Sequence, residues 1–160
     1  MIYLGDNWPD AYRNRIYFNN IHGNRINCDV LEPETGSGFV GHHGQDLMLA
    51  NDRYYRGINL RYGPDGSVYL IDWYDKNACH RTNPEIWDRS NGRIFRILYG
   101  DINDSRFDGS SWTDEQLMAA HERKNDWHVR TARRLLMERG ASSAVTAGLW
   151  TVCIRRHENS

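Results

Sequence analysis

Four side chains set the chemical question in this chain: His22, His80, Asp72 and Asp75. A neutral imidazole accepts a proton near pH 7, so His22 or His80 is suited to act as a general base, the candidate catalytic role here. Asp72 and Asp75 bring hard oxygen donors for a bound cation. Asn20, His42, His43, Trp73 and Trp87 are candidates to contact a substrate, with Asp46 beside the histidine pair. Each also has an ordinary structural reading. An aspartate at a strand end commonly forms a turn, and a histidine in a Gly- and Asn-rich loop commonly bonds to backbone. Tyr54-Tyr55 and Trp73-Tyr74 could stack on a sugar ring, although aromatic pairs at strand ends more commonly pack between sheets.

The elements that must position these groups are strands in the first two thirds of the chain. Arg15-Ile16-Tyr17-Phe18-Asn19-Asn20 is echoed by Ser67-Val68-Tyr69-Leu70-Ile71-Asp72, and Gly23-Asn24-Arg25-Ile26-Asn27 by Asn91-Gly92-Arg93-Ile94-Phe95. The second copy carries the longer loop, Trp73 to Ser90. A unit of about 50 residues, built of β-branched and aromatic runs between Gly and Asn, is the pattern of a propeller blade. A small β-sandwich would use the same strands.

Gly63-Pro64-Asp65-Gly66 supplies the turn chemistry of a hairpin, with arms Ile58–Tyr62 and Ser67–Trp73. The second arm reads as apolar on both faces, and Gly92 to Leu98 as the next strand. Loops that join equivalent strands of successive blades emerge on one rim. The repeat therefore predicts that Asn20-Ile21-His22-Gly23 neighbours the loop Trp73 to Ser90. His42, His43 and Asp46, in the connection between the copies, are expected to approach the same rim.

The period changes at residue 112. Thr113, followed by Asp114-Glu115-Gln116, predicts a capping box, with Trp112 stapled onto Leu117. A second helix is expected from Asn125 or Asp126 to Arg139, stopped by Gly140. Its arginines, Arg130, Arg133, Arg134 and Arg139, read as a solvated face paired with Glu138 and Glu122. The tail from Ala141 to Ser160 has only a weak apolar pattern and is expected to be frayed. The fold class expected is mainly β with C-terminal α: propeller blades over 1–110, then the start of a helical repeat region over 111–160, with the part after 140 poorly defined.

Composition narrows the partners. Twenty Lys and Arg against 21 Asp and Glu give a net charge of −1, so no global field favours nucleic acid or an anionic membrane, and no nucleic-acid partner is predicted. No apolar run approaches the roughly 20 residues of a transmembrane helix. The amino end lacks the basic start and apolar stretch of a signal peptide, so an export signal is expected outside this chain. Cys28, Cys79 and Cys153 are too far apart to read as a metal knuckle or a disulfide set.

Several long strings in order carry a resemblance: Met1 to Asn27, Gly36-Ser37-Gly38-Phe39-Val40-Gly41, Leu49-Ala50-Asn51-Asp52, Gly63 to His80, and Trp87-Asp88-Arg89-Ser90-Asn91-Gly92-Arg93-Ile94. Together they resemble the large membrane-bound dehydrogenase family known as PVC-type haem-binding CxxCH proteins. Trp112 to Gly140 is similar to the HEAT-like repeats that follow the propeller in that family. The resemblance implies a piece of an exported, periplasmic or extracellular protein, comprising the last propeller blades and the first helices of a HEAT-like array. Its partners would be the remaining blades and helical repeats.

The activity implied is oxidation of a sugar or alcohol with a quinone of the PQQ type. The resemblance carries over no catalytic residue; on side-chain chemistry and loop position, His22 or His80 would serve as base, and Asp72 and Asp75 would hold Ca²⁺. Lys76 stands where the first cysteine of a Cys-x-x-Cys-His motif ending at Cys79-His80 would be needed, so no covalent haem is expected on this chain. A second reading, from a different class, is a non-catalytic scaffold that binds carbohydrate or a partner protein. A third is a truncated product that lacks a stable fold, because missing blades would leave sheet edges and apolar faces open.

Overall fold

The computed structural model describes residues 1–79, 90–101 and 107–158. Among the described residues seven strands come first: β1 Ile16–Asn20, β2 Arg25–Glu34, β3 Gly38–His43, β4 Met48–Leu49, β5 Gly57–Tyr62, β6 Val68–Asp72 and β7 Arg93–Ile97. Three α-helices follow among the described residues: α1 Asp114–Ala119, α2 Asp126–Arg139 and α3 Ser143–Glu158. The architecture is mainly β with a C-terminal helical part, and the described strands close into no barrel.

All strand pairs are antiparallel, and they form two sheets. In the first, β2 is central, with β1 on one side. The other side is shared by β3, opposite Asp29–Glu34, and β4, opposite Arg25–Ile26. The second sheet runs β5-β6-β7. The echoed segments therefore fold alike, β1 matching β6 and β2 matching β7. Ile2 bridges Ile16, so the first residues lie along β1 as β5 lies along β6.

The core between the sheets collects Tyr3, Trp8, Tyr17, Ile26, Cys28, Tyr55, Leu60, Tyr62, Val68 and Leu70. Strand alternation explains which residues enter it: Val68, Leu70 and Asp72 point inward from β6. Ile71 is 44% exposed, so this strand, apolar on both faces as its sequence reads, is not enclosed between stacked sheets. No described layer covers its outer side.

The hairpin turn forms as its residues predict. Gly63 N donates to Ser67 O at 2.9 Å and Gly66 N to Gly63 O at 3.0 Å, with Gly66 at φ +73°. Asp65 accepts from Ser67 N and Tyr69 Oη and pairs with Arg96. The turn is also where distant segments meet. Tyr3 Oη donates to Gly66 O at 2.8 Å while accepting from Asn7 N and Trp8 N.

The helices dock on that same turn. Asn125, fully buried, caps α2 by accepting from Trp127 N at 3.0 Å, and its amide donates to Gly63 O and Pro64 O. The capping box at α1 is present: Gln116 N donates to Thr113 Oγ1 and Thr113 N to Gln116 Oε1. Gly140, at φ +71°, ends α2.

The expected frayed tail is instead the helix α3. Ser142 starts it by accepting Val145 N, and Val145 joins Leu117, Ala120, Ala132 and Leu136 in a second small core. This third helix gives the α1–α2 pair the cover it lacks alone, while Trp150 stays 73% exposed. On α2, Arg134 pairs with Glu138 as expected. Arg130 pairs instead with Asp126 and Arg139 with Asp114, while Glu122 pairs with Arg155 of α3. No described helix is long and apolar enough to cross a membrane.

Two measurements follow. A Cβ at Gly66 would lie 2.4 Å from Asp6 Oδ1 and 2.5 Å from Asn7 N, in a backbone region that penalises side chains. Gly66→Ala should cost about 1–3 kcal/mol in urea unfolding, and an unchanged midpoint would contradict this packing. His128, buried on α2, has an Nδ1 without a partner among the described residues. Burial first, and then Arg123, holds its pKa below the ordinary 6.5. The folded state thus favours neutral imidazole, so its contribution to stability is full above pH 6.5 and declines as pH falls below it. Thermal melts should show a smaller loss in Tm between pH 7.5 and 5.5 for His128→Gln than for the native chain.

Candidate functional site

The carboxylate of Asp72, at the end of β6, has no exposed side-chain surface. A buried charge of this kind must be fully paired. Its Oδ1 accepts Arg56 N at 2.7 Å and Tyr74 N at 2.8 Å. Its Oδ2 accepts Arg93 Nε at 2.9 Å and Nη2 at 2.5 Å. Arg93 is the cross-strand partner of Asp72, which is why its fork reaches that carboxylate. Its Nη1 continues to Asp52 Oδ2 at 2.9 Å, and its guanidinium lies 4.1 Å from the Tyr74 ring centre. Asp52 accepts Tyr54 N, and that backbone hydrogen bond, together with Arg93, holds its carboxyl below the usual carboxylate range against the opposing effect of burial.

Arg56 carries this framework to the loops. Its backbone is held by Asp72, and its buried guanidinium donates to Ile21 O at 3.2 Å and Lys76 O at 2.9 Å. The loops after β1 and β6 are therefore neighbours, as the repeat predicts. Across the join, Cys79 Sγ lies 3.9 Å from His22 Nε2, both residues exposed.

The remaining candidates divide. His80 and Trp87 lie outside the described residues. Asn20 accepts Gly23 N at 2.7 Å and so shapes the turn that presents His22. Trp73 is half-buried beside Asp72. Asp75 accepts Asn77 N at 3.0 Å. Asp72 and Asp75 do not fit a Ca²⁺ cage: the oxygens of Asp72 are taken by two backbone amides and a guanidinium, and a cation there would face Arg93 directly. Among the described residues no group of three His, Cys, Asp or Glu is placed to hold a metal.

His42 and His43 gather elsewhere, with acids along the edge formed by β3. His42 lies 3.4 Å from Glu32, and His43 lies 3.3 Å from Asp29 and 3.5 Å from Asp46. Asp46 also accepts from Asn27 and Arg25. Those bonds, Asn27's first, keep its carboxyl below the usual range. The expected convergence on one rim is thus corrected: β3 pairs alongside the middle of β2, which carries both histidines away from the turn that holds His22. Arg25 Nε, donating to Gly23 O, is the link back to that turn.

The aromatic pairs pack as the ordinary reading holds. Tyr54 and Tyr74 meet edge to face at 5.5 Å, and buried Tyr55 donates to Asn19 Oδ1. Burial pushes the Tyr55 hydroxyl up to about 12. Beside Arg93 and Asp52, a groove of about 510 Å³ runs between Met48, Tyr55, Leu70 and Phe95. Sequence reasoning missed Arg56, Arg93 and Asp52. The one local signal concerns Asp52: Asp-x-Tyr at Asp52-Arg53-Tyr54 matches Asp72-Trp73-Tyr74, although it also occurs at Asp10-Ala11-Tyr12, outside the network.

Residues 1–101, which contain both sheets, match the model of a family described as a domain of unknown function, DUF7133. The chain belongs to the DUF7133 family. No curated protein and no solved structure matches it. The DUF7133 match ends before α1, so the Asp72–Arg93–Asp52 framework lies wholly within it and the helices lie beyond it.

Removing the Asp72 carboxylate would leave two backbone amides and the Nε and Nη2 of Arg93 without their acceptor. Asp72→Ala should therefore destabilise the fold by about 3 kcal/mol or more in denaturant unfolding. Adding Arg93→Met should recover part of that loss. A double variant that loses the sum of both single effects would show that the pair is not coupled.

Proposed function

We propose that this chain supplies two propeller blades and the first helices of a HEAT-like array to an exported, dehydrogenase-like protein of the haem-binding CxxCH class. The observation that carries this reading is the Arg56 clamp. Two sheets built from echoed segments have their equivalent loops held side by side, as on the rim of a propeller. Loops fixed to a rigid scaffold are where binding chemistry concentrates.

In the whole protein, the reaction would be oxidation of a sugar or alcohol, with a bound quinone of the PQQ type supplying the electron acceptor. The contribution of this chain is His22, exposed on the rim loop, as the proton acceptor for the substrate hydroxyl. Asp72 contributes rigidity, and any Ca²⁺ belongs on other blades. The protein works in the periplasm or outside the cell.

One observation favours a second reading, a non-catalytic module that holds a carbohydrate. Asp72, at the base of the rim, is consumed by structure, and the groove beside Arg93 offers Tyr55 and Phe95 as ring faces with Asp52, Arg93 and Arg96 as polar groups. Dye reduction by the full-length protein, supplied with quinone and a panel of sugars and alcohols, separates the two. The dehydrogenase reading expects substrate-dependent reduction that falls at least about 100-fold in His22→Ala. Sugar binding without dye reduction under any quinone condition would reject it in favour of the scaffold.

A further inference from the structure

We infer that Cys79 and His22 form a thiol–imidazole pair that makes Cys79 a site of covalent modification by soft electrophiles and small disulfides. The inference does not depend on the dehydrogenase reading. It rests on where two loops, far apart in sequence, place a nucleophile and a base.

The thiol lies within hydrogen-bonding reach of the imidazole nitrogen, at 3.9 Å, and both groups face solvent. This contact is built by interactions that neither residue makes. Arg56, buried to 5% exposure, binds the carbonyl of Ile21, the residue before His22. Its other terminal nitrogen binds the carbonyl of Lys76, at the start of the Lys76–Cys79 segment. Asn20 closes the turn that presents His22, and Asp75 closes the one before Cys79 by accepting Asn77 N. Asp72 in turn fixes Arg56. A chain of hydrogen bonds thus runs from the buried carboxylate to both loops that carry the pair.

The thiolate is the reactive form of cysteine, and a base in contact with the thiol can take its proton as the sulfur attacks. His22 offers that base. Cys28 provides the contrast within one molecule. It is buried in the core between Tyr17 and Gly44 and has no route to a reagent.

The chemistry balances without an added redox partner. With an alkyl iodide, the Cys79 sulfur forms a bond to carbon, iodide leaves with the bonding electron pair, and the thiol proton passes to His22 Nε2. With a disulfide, the sulfur attacks one sulfur atom, the S–S bond breaks, and the departing thiolate is protonated. The product is a mixed disulfide at Cys79.

The test is site-resolved alkylation of the full chain by iodoacetamide at neutral pH, read by peptide mass spectrometry over time. Cys79 should react about ten-fold faster in the native chain than in the same chain unfolded in urea, while Cys28 stays unmodified until unfolding. His22→Ala should bring Cys79 down to the unfolded-chain rate with Cys28 still protected, and His22→Gln, which also lacks a base, should do the same. A native rate at or below the unfolded rate would overturn the inference. So would a rate that neither substitution changes while Cys28 remains protected.

Discussion

A carboxylate without solvent contact organises the site. Asp72 sits in a region where an unpaired charge would cost several kcal/mol, so every lone pair that it can offer is taken. The amides that satisfy it belong to Arg56 and Tyr74, and the guanidinium to Arg93. Each of these has a second task. Tyr74 adopts a left-handed backbone, φ +51°, just beyond β6, and Arg93 locks β7 to β6 while reaching Asp52 in the segment arriving from the first sheet. Arg56 ties the two rim loops together. The position of His22 and Cys79 is therefore a consequence of where one buried negative charge finds its donors.

A second constraint joins the sheets to the helices. The turn Gly63–Gly66 offers its carbonyls to distant segments: Tyr3 from the amino end binds Gly66 O, and Asn125 from the start of α2 binds Pro64 O and shares Gly63 O with the turn's own Gly66 N. Because Tyr3 and Asn125 are both fully buried, these bonds form away from competing water. Asp126 N, donating to Leu4 O, closes the third side. The helical part is fastened to the β part at a turn whose sequence already specified its shape.

What was legible in the residues follows the range of the interaction involved. The Gly63-Pro64-Asp65-Gly66 turn, the Thr113 capping box and the Gly140 stop are local, and all three stand where the chain predicts them. The neighbouring of the two rim loops was legible because a repeat maps equivalent loops onto equivalent places. The Asp72–Arg93–Asp52 network was not: it joins three segments through strand register, which no local pattern encodes. His42 and His43 were misplaced for the same reason, since only the pairing of β3 with β2 decides how far along the sheet they fall. The helix α3 read only as a weak further helix or strand because its apolar residues are spread around its circumference, and Val145, with Leu149 beside it, fastens it to the second core.

The claim on which the rim depends is that the amides of Arg56 and Tyr74 are bound inside the fold by the Asp72 carboxylate. Hydrogen–deuterium exchange resolved to single amides tests it. Both amides lie outside regular strands, yet both should exchange as slowly as those of Leu70 and Ile71 in β6, opening only when the sheet does. If Arg56 and Tyr74 exchange as fast as free loop amides while β6 stays protected, the carboxylate does not hold them and this account of the rim is wrong.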